Sequence, residues 1–347
     1  MSSIAFTNIA TLVTNDPSVG EGDLGILRNA SLVVEDGLIT EISQGSPSGV
    51  DSEVDCTGKT LLPGFVDSHS HLIFAGDRAE EFAARAHGQK YTAGGIASTV
   101  KATRQASDAQ LRENAQRLLN EALASGTTTI EIKSGYGLTE KDELRSLTIA
   151  SEFTDETTLL AAHVIPEEFH NNPDGYVDLI INSIIPKSSA KWIDAFCDLG
   201  AFNPEQSEAI LRAGTARGMG ARIHANQLEV GKGVAIAVAI DAASADHVSK
   251  STSADIELLA SSNTVATLLP GAEFSTHAQA GLGRRFLDAG ATVAIASDCN
   301  PGSSYTTSMP FCIASAVSLL GFTVEEAVRA ATLGGAQALR RTDIGRL

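Results

Sequence analysis

The sequence predicts a mixed α/β protein, a TIM-like (β/α)8 barrel preceded by a small β-sandwich-type module. From residue 63 onward, short apolar segments alternate with helical stretches, which is typical of a parallel βα array. Eight such segments joined by helices favour a closed barrel over an open sheet. The predicted strands are Phe65–Leu72, Thr127–Ile132, Thr158–Val164, Trp192–Cys197, Ala221–Ala225, Ser244–Val248, Thr264–Pro270 and Thr292–Asp298.

The first 62 residues have a different pattern. The segment from Ser31 to Ile42 places Asp36-Gly37 between two arms rich in β-forming residues, which is a strong signal for a β-hairpin. We therefore predict two domains, a β module over residues 1–62 and a barrel with trailing helices over residues 63–347.

Several helices of the barrel carry start signals. Ser107 with Gln110, and Thr323 with Glu326, have the spacing of a capping box, in which the side chains satisfy unpaired backbone N–H groups. Asn203-Pro204 places proline at the first position of another helix. These signals support the alternation of strands and helices.

Composition excludes several classes of protein. The 347 residues are 43% apolar and 19% charged, as in ordinary globular proteins, and no apolar run is long enough to span a bilayer. The net charge of −17 argues against nucleic acid or an anionic membrane as partner. The start of the chain lacks a secretory signal, and four cysteines without CxxC spacing indicate reduced thiols, so we expect a cytoplasmic protein. An anionic substrate would need a local arginine to hold it against this acidic field.

Histidines fall at the ends of the predicted strands. His69 and His71 are two residues apart, so on a strand they point the same way and both can reach one divalent metal ion. Active sites of (β/α)8 barrels form at the carboxyl ends of the strands. The other candidates at strand ends are His163, His224, His247 and Asp298, whereas His87, His170 and His277 lie in helix or loop segments.

These residues resemble the amidohydrolase superfamily and, within it, the imidazolonepropionase family of histidine degradation. The resemblance runs from about residue 4 to the end. The motifs that carry it are Pro63–His71, Gly76-Asp77-Arg78, Ala93-Gly94-Gly95-Ile96 followed by Thr99–Arg104, Glu131–Leu138, Ala162–Pro166, His224-Ala225-Asn226-Gln227 and Asp298–Ser303.

The resemblance implies one metal ion per subunit, zinc or iron. Its predicted ligands are His69, His71, His224 and Asp298. Three imidazoles and one carboxylate suit either ion and leave room for water. Strand four ends in Cys197-Asp198 rather than in a lysine that could bridge two metals as a carbamate, so we expect a mononuclear centre.

The resemblance also implies hydrolysis of the cyclic amide of 4-imidazolone-5-propanoate to N-formimidoyl-L-glutamate, the third step of histidine degradation. Asp298 would accept the water proton as well as bind the metal, and His247 would be a second proton carrier or orienting group. His163 would polarise the carbonyl or hold the developing oxyanion.

Further residues are predicted to bind the substrate. Arg78 offers a planar, two-pronged donor to the propanoate carboxylate, and Tyr136 can donate to the same group. Gln227 can bind the ring nitrogens; many relatives have glutamate here, so proton transfer moves to Asp298 and His247. Asn300, Gly302 and Ser303 form a loop that can bind substrate or product, although Gly302 is equally typical of a turn.

Two other functions fit parts of the pattern. A deaminase of a cyclic amidine or nucleobase would share the ligands but usually has glutamate at the position of Gln227. A non-catalytic barrel used as a scaffold would typically have lost metal ligands.

Two expectations rest on relatives alone. Relatives form homodimers, so we expect one here. Relatives also continue beyond the last helix with strands that complete the small domain, whereas this sequence stops at Leu347. The small domain is therefore expected to have an unpaired edge, or the sequence is a fragment.

Overall fold

The structure is a computed structural model that describes residues 2–45, 47–88, 95–277 and 282–347. These residues form two compact units, one comprising the chain up to Gly64 together with Thr342–Leu347, the other Phe65–Arg341. The predicted domain division at residue 62 stays a prediction. Two motif residues, Ala93 and Gly94, lie outside the described residues.

The first unit contains a five-stranded mixed sheet. Its strands are β1 (Ser3–Val13), β2 (Ile26–Glu35), β3 (Leu38–Ser43), β4 (Ser52–Asp55) and β5 (Thr60–Leu61). The order is β3-β2-β1-β4, with β5 also beside β1, and β4 and β5 run parallel to β1. The predicted hairpin is confirmed, because Asp36 and Gly37 connect β2 to β3 with φ of +49° and +83°.

In the described part of the second unit there are nine short parallel strands. They are β6 (Phe65–Asp67), β7 (Thr127–Ile130), β8 (Ile132–Lys133), β9 (Thr157–Ala162), β10 (Trp192–Cys197), β11 (Gly220–Ala225), β12 (Ser244–His247), β13 (Val265–Leu268) and β14 (Val293–Ile295). Strands β8 to β14 form one seven-stranded sheet in chain order, and β6 pairs with β7. The mixed α/β class is thus confirmed. An isolated parallel bridge joins Ser70, beyond β6, to Cys299, beyond β14.

Helices follow most of these strands. They are α1 (Ala79–Ala86), α2 (Ile96–Gln105), α3 (Asp108–Ala124), α4 (Glu140–Ala150), α5 (Pro173–Leu179), α6 (Ile185–Lys187), α7 (Pro204–Thr215), α8 (Gly233–Ala239), α9 (Ser253–Ala260), α10 (Pro270–Thr276), α11 (Leu282–Asp288), α12 (Met309–Leu320), α13 (Val324–Arg329) and α14 (Gly335–Ala338). A 3-10 turn spans Glu167–Phe169, and π-helical turns span Ile180–Ile184 and Ala330–Gly334. The capping boxes at Ser107 and Thr323 are confirmed, and Asn203 caps α7 in the same way.

Each unit has its own core. In the first, Ile9, Leu12, Leu32 and Cys56 pack together, with Leu347 against them. In the second, one large apolar cluster lies between the strands and the helices. No helix in the described part of the chain is long and apolar enough to cross a membrane.

Candidate metal centre and active site

His69 and His71 lie just beyond β6 and next to the segment that follows β14. The Asp298 N–H donates to the His69 carbonyl at 3.0 Å, and the His71 N–H donates to the Cys299 carbonyl at 2.9 Å. The predicted alternation holds here, because the two Nε2 atoms lie only 3.2 Å apart. Both imidazoles thus lie on one side of the segment that follows β6.

His224 and Asp298 complete the cluster. Asp298 Oδ1 lies 3.6 Å from His69 Nε2 and 3.5 Å from His71 Nε2. The ring of His224 is 4.5 Å from that of His69, measured between centroids. The potential ligand atoms of His69, His71 and His224 all lie within 4.8 Å of one another, as do those of His69, His247 and Asp298. The structure therefore brings the four predicted ligands together and places His247 beside them.

The cluster has the properties of a metal site. Within the described residues, the buried His224 Nε2 has no hydrogen-bond partner, which is costly unless something binds it. Two ligands about 2.05 Å from a tetrahedral ion lie about 3.3 Å apart, close to the spacing of the His69 and His71 nitrogens. Burial holds the pKa of both histidines well below the usual value, which favours the neutral imidazole that binds metal. These residues therefore fit zinc or iron.

Buried carboxylates orient two of the histidines. The His69 Nδ1 is 2.8 Å from Asp246 Oδ2, and the His224 Nδ1 is 3.1 Å from Asp194 Oδ1. A carboxylate on Nδ1 keeps the proton there and turns the Nε2 lone pair towards the cluster. Burial opposes the charge on Asp194, but interactions with His224 and Lys133 outweigh it and hold the pKa of this carboxyl well below its usual range.

Two buried cations pair with these carboxylates. Lys133 Nζ lies 3.0 Å from Asp194 Oδ2 and 3.0 Å from Glu131 Oε1. Arg222 Nη2 lies 3.4 Å from Asp246 Oδ2 and donates to the Ser68 carbonyl at 2.7 Å. The two carboxylates that contact histidines, the two cations that pair with them, and Glu131 are all buried. We call this set the charged layer: Glu131, Lys133, Asp194, Arg222 and Asp246.

The charged layer was not predicted from the sequence. One signal was available, because charged residues stand inside otherwise apolar strands, as Asp194 does in Trp192–Cys197. Such residues are rarely buried unless paired, so they predict a polar network in the interior of the fold. Which partners they meet depends on the tertiary fold.

The backbone around the cluster includes several left-handed conformations. Asn226, His247, Val248 and Asp298 have φ of +51°, +72°, +49° and +50°. Asparagine and aspartate tolerate this region, but a β-branched residue such as Val248 rarely adopts it. Unfavourable conformations of this kind often cluster at functional sites, where the surrounding structure enforces them.

A small cavity opens on the cluster. It measures about 310 Å³ with its open mouth. It is lined by the predicted ligands His71, His224 and Asp298 together with Arg78, Ile96, Tyr136, His163, Phe196, Gln227, His247, Asn300 and Ser303. Of the predicted substrate residues only Gly302 does not line it. Tyr136 and His163 are neighbours, with ring centroids 5.2 Å apart.

The hydrogen bond of His163 determines what its ring offers the cavity. Nδ1 lies 2.9 Å from the Gly135 carbonyl, which can only accept, so Nδ1 carries the proton. Burial lowers the pKa of His163 to about 3, which favours the neutral ring. In that form Nε2 is an acceptor, so the predicted oxyanion role would require a second proton.

The Asn300 side chain is already occupied. Its Oδ1 accepts from the N–H groups of Gly302 and Ser303, and its Nδ2 donates to the Asp298 carbonyl and to Ser303 Oγ. Ser303 Oγ in turn donates to Asp298 Oδ2 at 3.2 Å. These contacts suit Asn300 and Ser303 to holding Asp298 in place, a role that differs from the predicted contact with substrate.

Solved structures share this architecture. A guanine deaminase from C. acetobutylicum aligns with a TM-score of 0.69 and 15% identity over 99% of this chain and 88% of its own. An adenosine deaminase from Xanthomonas campestris, described with bound zinc, aligns with a TM-score of 0.69 and 16% identity. The alignment covers 99% of this chain and 82% of the deaminase. A triazine hydrolase variant aligns with a TM-score of 0.68 and 18% identity, over 100% of this chain and 84% of its own. At these identities the likeness establishes a shared fold.

Sequence comparison is more specific. The chain is 57% identical to imidazolonepropionases of Mycolicibacterium smegmatis, over 100% of this chain and 88% of that protein, and of Streptomyces coelicolor, over 100% and 90%. No family model matches the sequence. The chain belongs to the imidazolonepropionase family.

Proposed function

We propose that this protein hydrolyses the cyclic amide bond of 4-imidazolone-5-propanoate to N-formimidoyl-L-glutamate in histidine degradation. The observation that carries the proposal is the buried cluster of His69, His71, His224 and Asp298, which opens on a cavity also lined by Arg78. The names of relatives more than half identical to this chain support it.

The metal part of the proposal is one zinc or iron ion per subunit, held by His69, His71, His224 and Asp298. When bound, the ion supplies Lewis-acid chemistry, which polarises a carbonyl and lowers the pKa of water from 15.7 to about 7. Asp246 and Asp194, which contact Nδ1 of His69 and His224, would hold these imidazoles so that Nε2 could bind the ion.

The chain's own residues would move the protons. One proton leaves water as its oxygen attacks the ring carbonyl, and the Asp298 carboxylate accepts it. Ser303 holds Asp298 Oδ2, so the proton acceptor is fixed in orientation. When the ring C–N bond breaks, the leaving nitrogen needs a proton, which Asp298 or His247 delivers. The amide of Gln227 cannot act as a general acid or base, so Gln227 would orient the ring instead.

Arg78 and Tyr136 would bind the propanoate carboxylate, and His163 would contact the ring. With its proton on Nδ1, His163 Nε2 would accept a ring N–H, and a donor role towards the oxyanion would follow only after protonation. Asn300, Gly302 and Ser303 would shape the substrate side of the loop.

The proposal extends to architecture and setting. Strands β6 to β14 would close as a (β/α)8 barrel, with β7 and β8 as two parts of one strand; the Ser70–Cys299 bridge supports this. A small β-sandwich-type module would precede the barrel. A cytoplasmic homodimer acting on a small anionic substrate completes the proposal.

The direct test supplies imidazolonepropanoate to protein loaded with zinc or ferrous iron. We expect its ultraviolet absorbance to fall as N-formimidoylglutamate forms in equal amount. Guanine and adenosine serve as comparison substrates and should be left intact. A metal-loaded protein that leaves imidazolonepropanoate unchanged would contradict the proposal, and turnover of a nucleobase instead would favour a deaminase.

A further inference from the structure

Arg78 pairs with an acidic residue one turn along the chain. Its Nε donates to Glu81 Oε1 at 2.9 Å and its Nη2 donates to Glu81 Oε2 at 2.5 Å, a two-pronged, charge-assisted pair. The Arg78 side chain is 1% exposed, whereas the Glu81 side chain is 37% exposed. Glu81 thus reaches from the surface of α1 to a buried guanidinium, and it does not line the cavity next to the metal cluster.

Two glycines enclose this pair. A Cβ built on Gly302 would lie well under 3.0 Å from Arg78 Nη1, and one built on Gly95 would lie equally close to Arg78 Nη2 and both Glu81 oxygens. Real Cβ atoms do not make such contacts, so any other residue at either position would displace the pair. Gly95 and Gly302 therefore form a slot for the planar Arg78–Glu81 pair, which we call the glycine slot.

One wall of the glycine slot is joined to the metal cluster. The buried Arg85 donates from Nη2 to the Gly302 carbonyl at 2.7 Å and fixes this wall from outside. On the other side the Gly302 N–H donates to Asn300 Oδ1 at 2.8 Å, and Asn300 Nδ2 donates to the Asp298 carbonyl at 2.6 Å. Two hydrogen bonds through one side chain thus connect the slot to Asp298.

We propose that Glu81 is a positioning residue that, with the glycine slot, fixes Arg78 at a set distance from the metal ligands and so selects substrates by the length of their carboxylate tail. This inference rests on the proposed function, in which Arg78 binds the substrate carboxylate. Glu81 acts through Arg78 and does not touch the substrate. If Arg78 is fixed, it can bind the carboxylate only of a tail whose length lets the ring carbonyl lie at the metal at the same time.

The test compares Glu81→Gln with Glu80→Gln in the metal-loaded enzyme. Glu80 is exposed on the same helix, so its change removes the same charge without touching Arg78. Glutamine at position 81 keeps the size but turns an N–H group towards one of the two guanidinium donors. We expect KM for imidazolonepropanoate to rise at least tenfold in Glu81→Gln, with kcat within about threefold of wild type.

Binding of 3-(imidazol-4-yl)propanoate, measured by calorimetry, provides a readout that needs no turnover. Its Kd should rise at least tenfold in Glu81→Gln and stay unchanged in Glu80→Gln. The preference for this ligand over imidazole-4-acetate, which is one methylene shorter, should fall in Glu81→Gln. Gly302→Ala should show the same loss of preference, and Glu81→Asp, which keeps the charge, should fall between wild type and Glu81→Gln.

These measurements separate the two ideas. A wild type that hydrolyses imidazolonepropanoate, with unchanged or lower KM and Kd in Glu81→Gln, would overturn the role of Glu81 and leave the proposed function standing. Loss of the tail-length preference in a protein that does not turn over imidazolonepropanoate would support the role of Glu81 while the proposed function fails. A wild type that binds neither carboxylate would overturn the role of Glu81 as well.

Discussion

His224 has one ring nitrogen beside Asp194 and the other buried at the cluster without a protein partner among the described residues. An imidazole arranged in this way has a fixed tautomer and a lone pair directed at one point. His224 is therefore the first residue to change.

We expect His224→Ala to lose bound metal and activity together, because three remaining ligands hold the ion poorly and the cavity loses a neutral donor. Metal content after dialysis, measured by plasma mass spectrometry, should fall from about one ion per chain to a small fraction. His170→Ala, at an exposed position, is the control and should keep both. Retained metal with a normal rate in His224→Ala would remove this residue from the ligand set.

Asp194 would act on the ion indirectly, through its hydrogen bond with His224 Nδ1. In Asp194→Asn the charge that faces both His224 and Lys133 disappears, so we expect the affinity for zinc to fall about 10- to 100-fold. Competition with a chromophoric chelator measures this change. Asp241→Asn removes an exposed carboxylate that pairs with Arg340 and should leave the affinity unchanged. Equal zinc affinity in the wild type and Asp194→Asn would show that Asp194 does not tune the site.

At the scale of elements, capping shows how local sequence sets structure. Ser107 Oγ accepts from the Gln110 N–H, and the Gln110 side chain accepts from the Ser107 N–H, so two N–H groups at the start of α3 are satisfied. The apolar face of α3 is buried through Leu111, Ala115 and Leu118. The cap therefore fixes where this face begins.

We expect Ser107→Ala to lower the free energy of unfolding by about 1 kcal/mol, because the cap hydrogen bond is lost. Ser107→Asn, which can cap equally well, should stay within a few tenths of a kcal/mol of wild type. Urea unfolding followed by circular dichroism measures both variants. Since α3 carries no residue of the cavity, kcat should not change, and a cap variant with altered kcat would contradict this separation.

Much of the element pattern could be predicted because its causes are local. Turn residues, caps and strand alternation act over two to four positions, and they led to the hairpin, the helix starts and the pairing of His69 with His71. The predicted end of the first strand at Leu72 is wrong, since β6 ends at Asp67. Beyond it the Ser70 N–H donates to the Glu131 carboxylate rather than to a neighbouring strand.

The residues that support the site could not be predicted because their contacts are distant in sequence. His69 and Asp246 are 177 positions apart, and no spacing rule connects them. His247 was predicted from its position at a strand end, whereas Asp246 beside it carries no comparable signature. The glycine slot is similar, since Gly95 and Gly302 meet around Arg78 only in the folded chain.

At the scale of the whole molecule, the ion pairs of one buried carboxylate join segments far apart in the chain. Glu156 is 2% exposed and contacts Lys191 Nζ at 2.6 Å, Trp192 Nε1 at 2.9 Å and Arg341 Nη1 at 3.1 Å. Burial opposes its charge, but hydrogen bonds from these three residues outweigh it and hold the pKa of Glu156 below the usual value.

This lowered pKa predicts the sign of a pH effect. As pH falls, the unfolded chain takes up the proton first, near the ordinary value of 4.5, so the stabilisation by Glu156 is complete above that pH and is lost as pH passes the lower folded pKa. We expect Glu156→Gln to reduce the free energy of unfolding by about 1–2 kcal/mol at pH 7.

The difference in the free energy of unfolding between Glu156→Gln and wild type should shrink below pH 4.5. Urea unfolding at a series of pH values measures it. Glu140→Gln, which removes an exposed partner of Lys187, is the control and should cost less than about 1 kcal/mol throughout. A difference that grows as pH falls would contradict the assignment.

The left-handed backbone at His247 and Val248 affects how substitutions and denaturation act on this enzyme. Conformations of this kind are disfavoured by about 1–3 kcal/mol each, so the backbone at these two residues is held in shape by the remainder of the second unit. A substitution in a distant helix that weakens packing would then loosen these two residues before it unfolds the chain. Heat or mild denaturant should accordingly abolish activity before the bulk of the helical signal is lost. Variants selected for a new substrate should first need a more stable second unit.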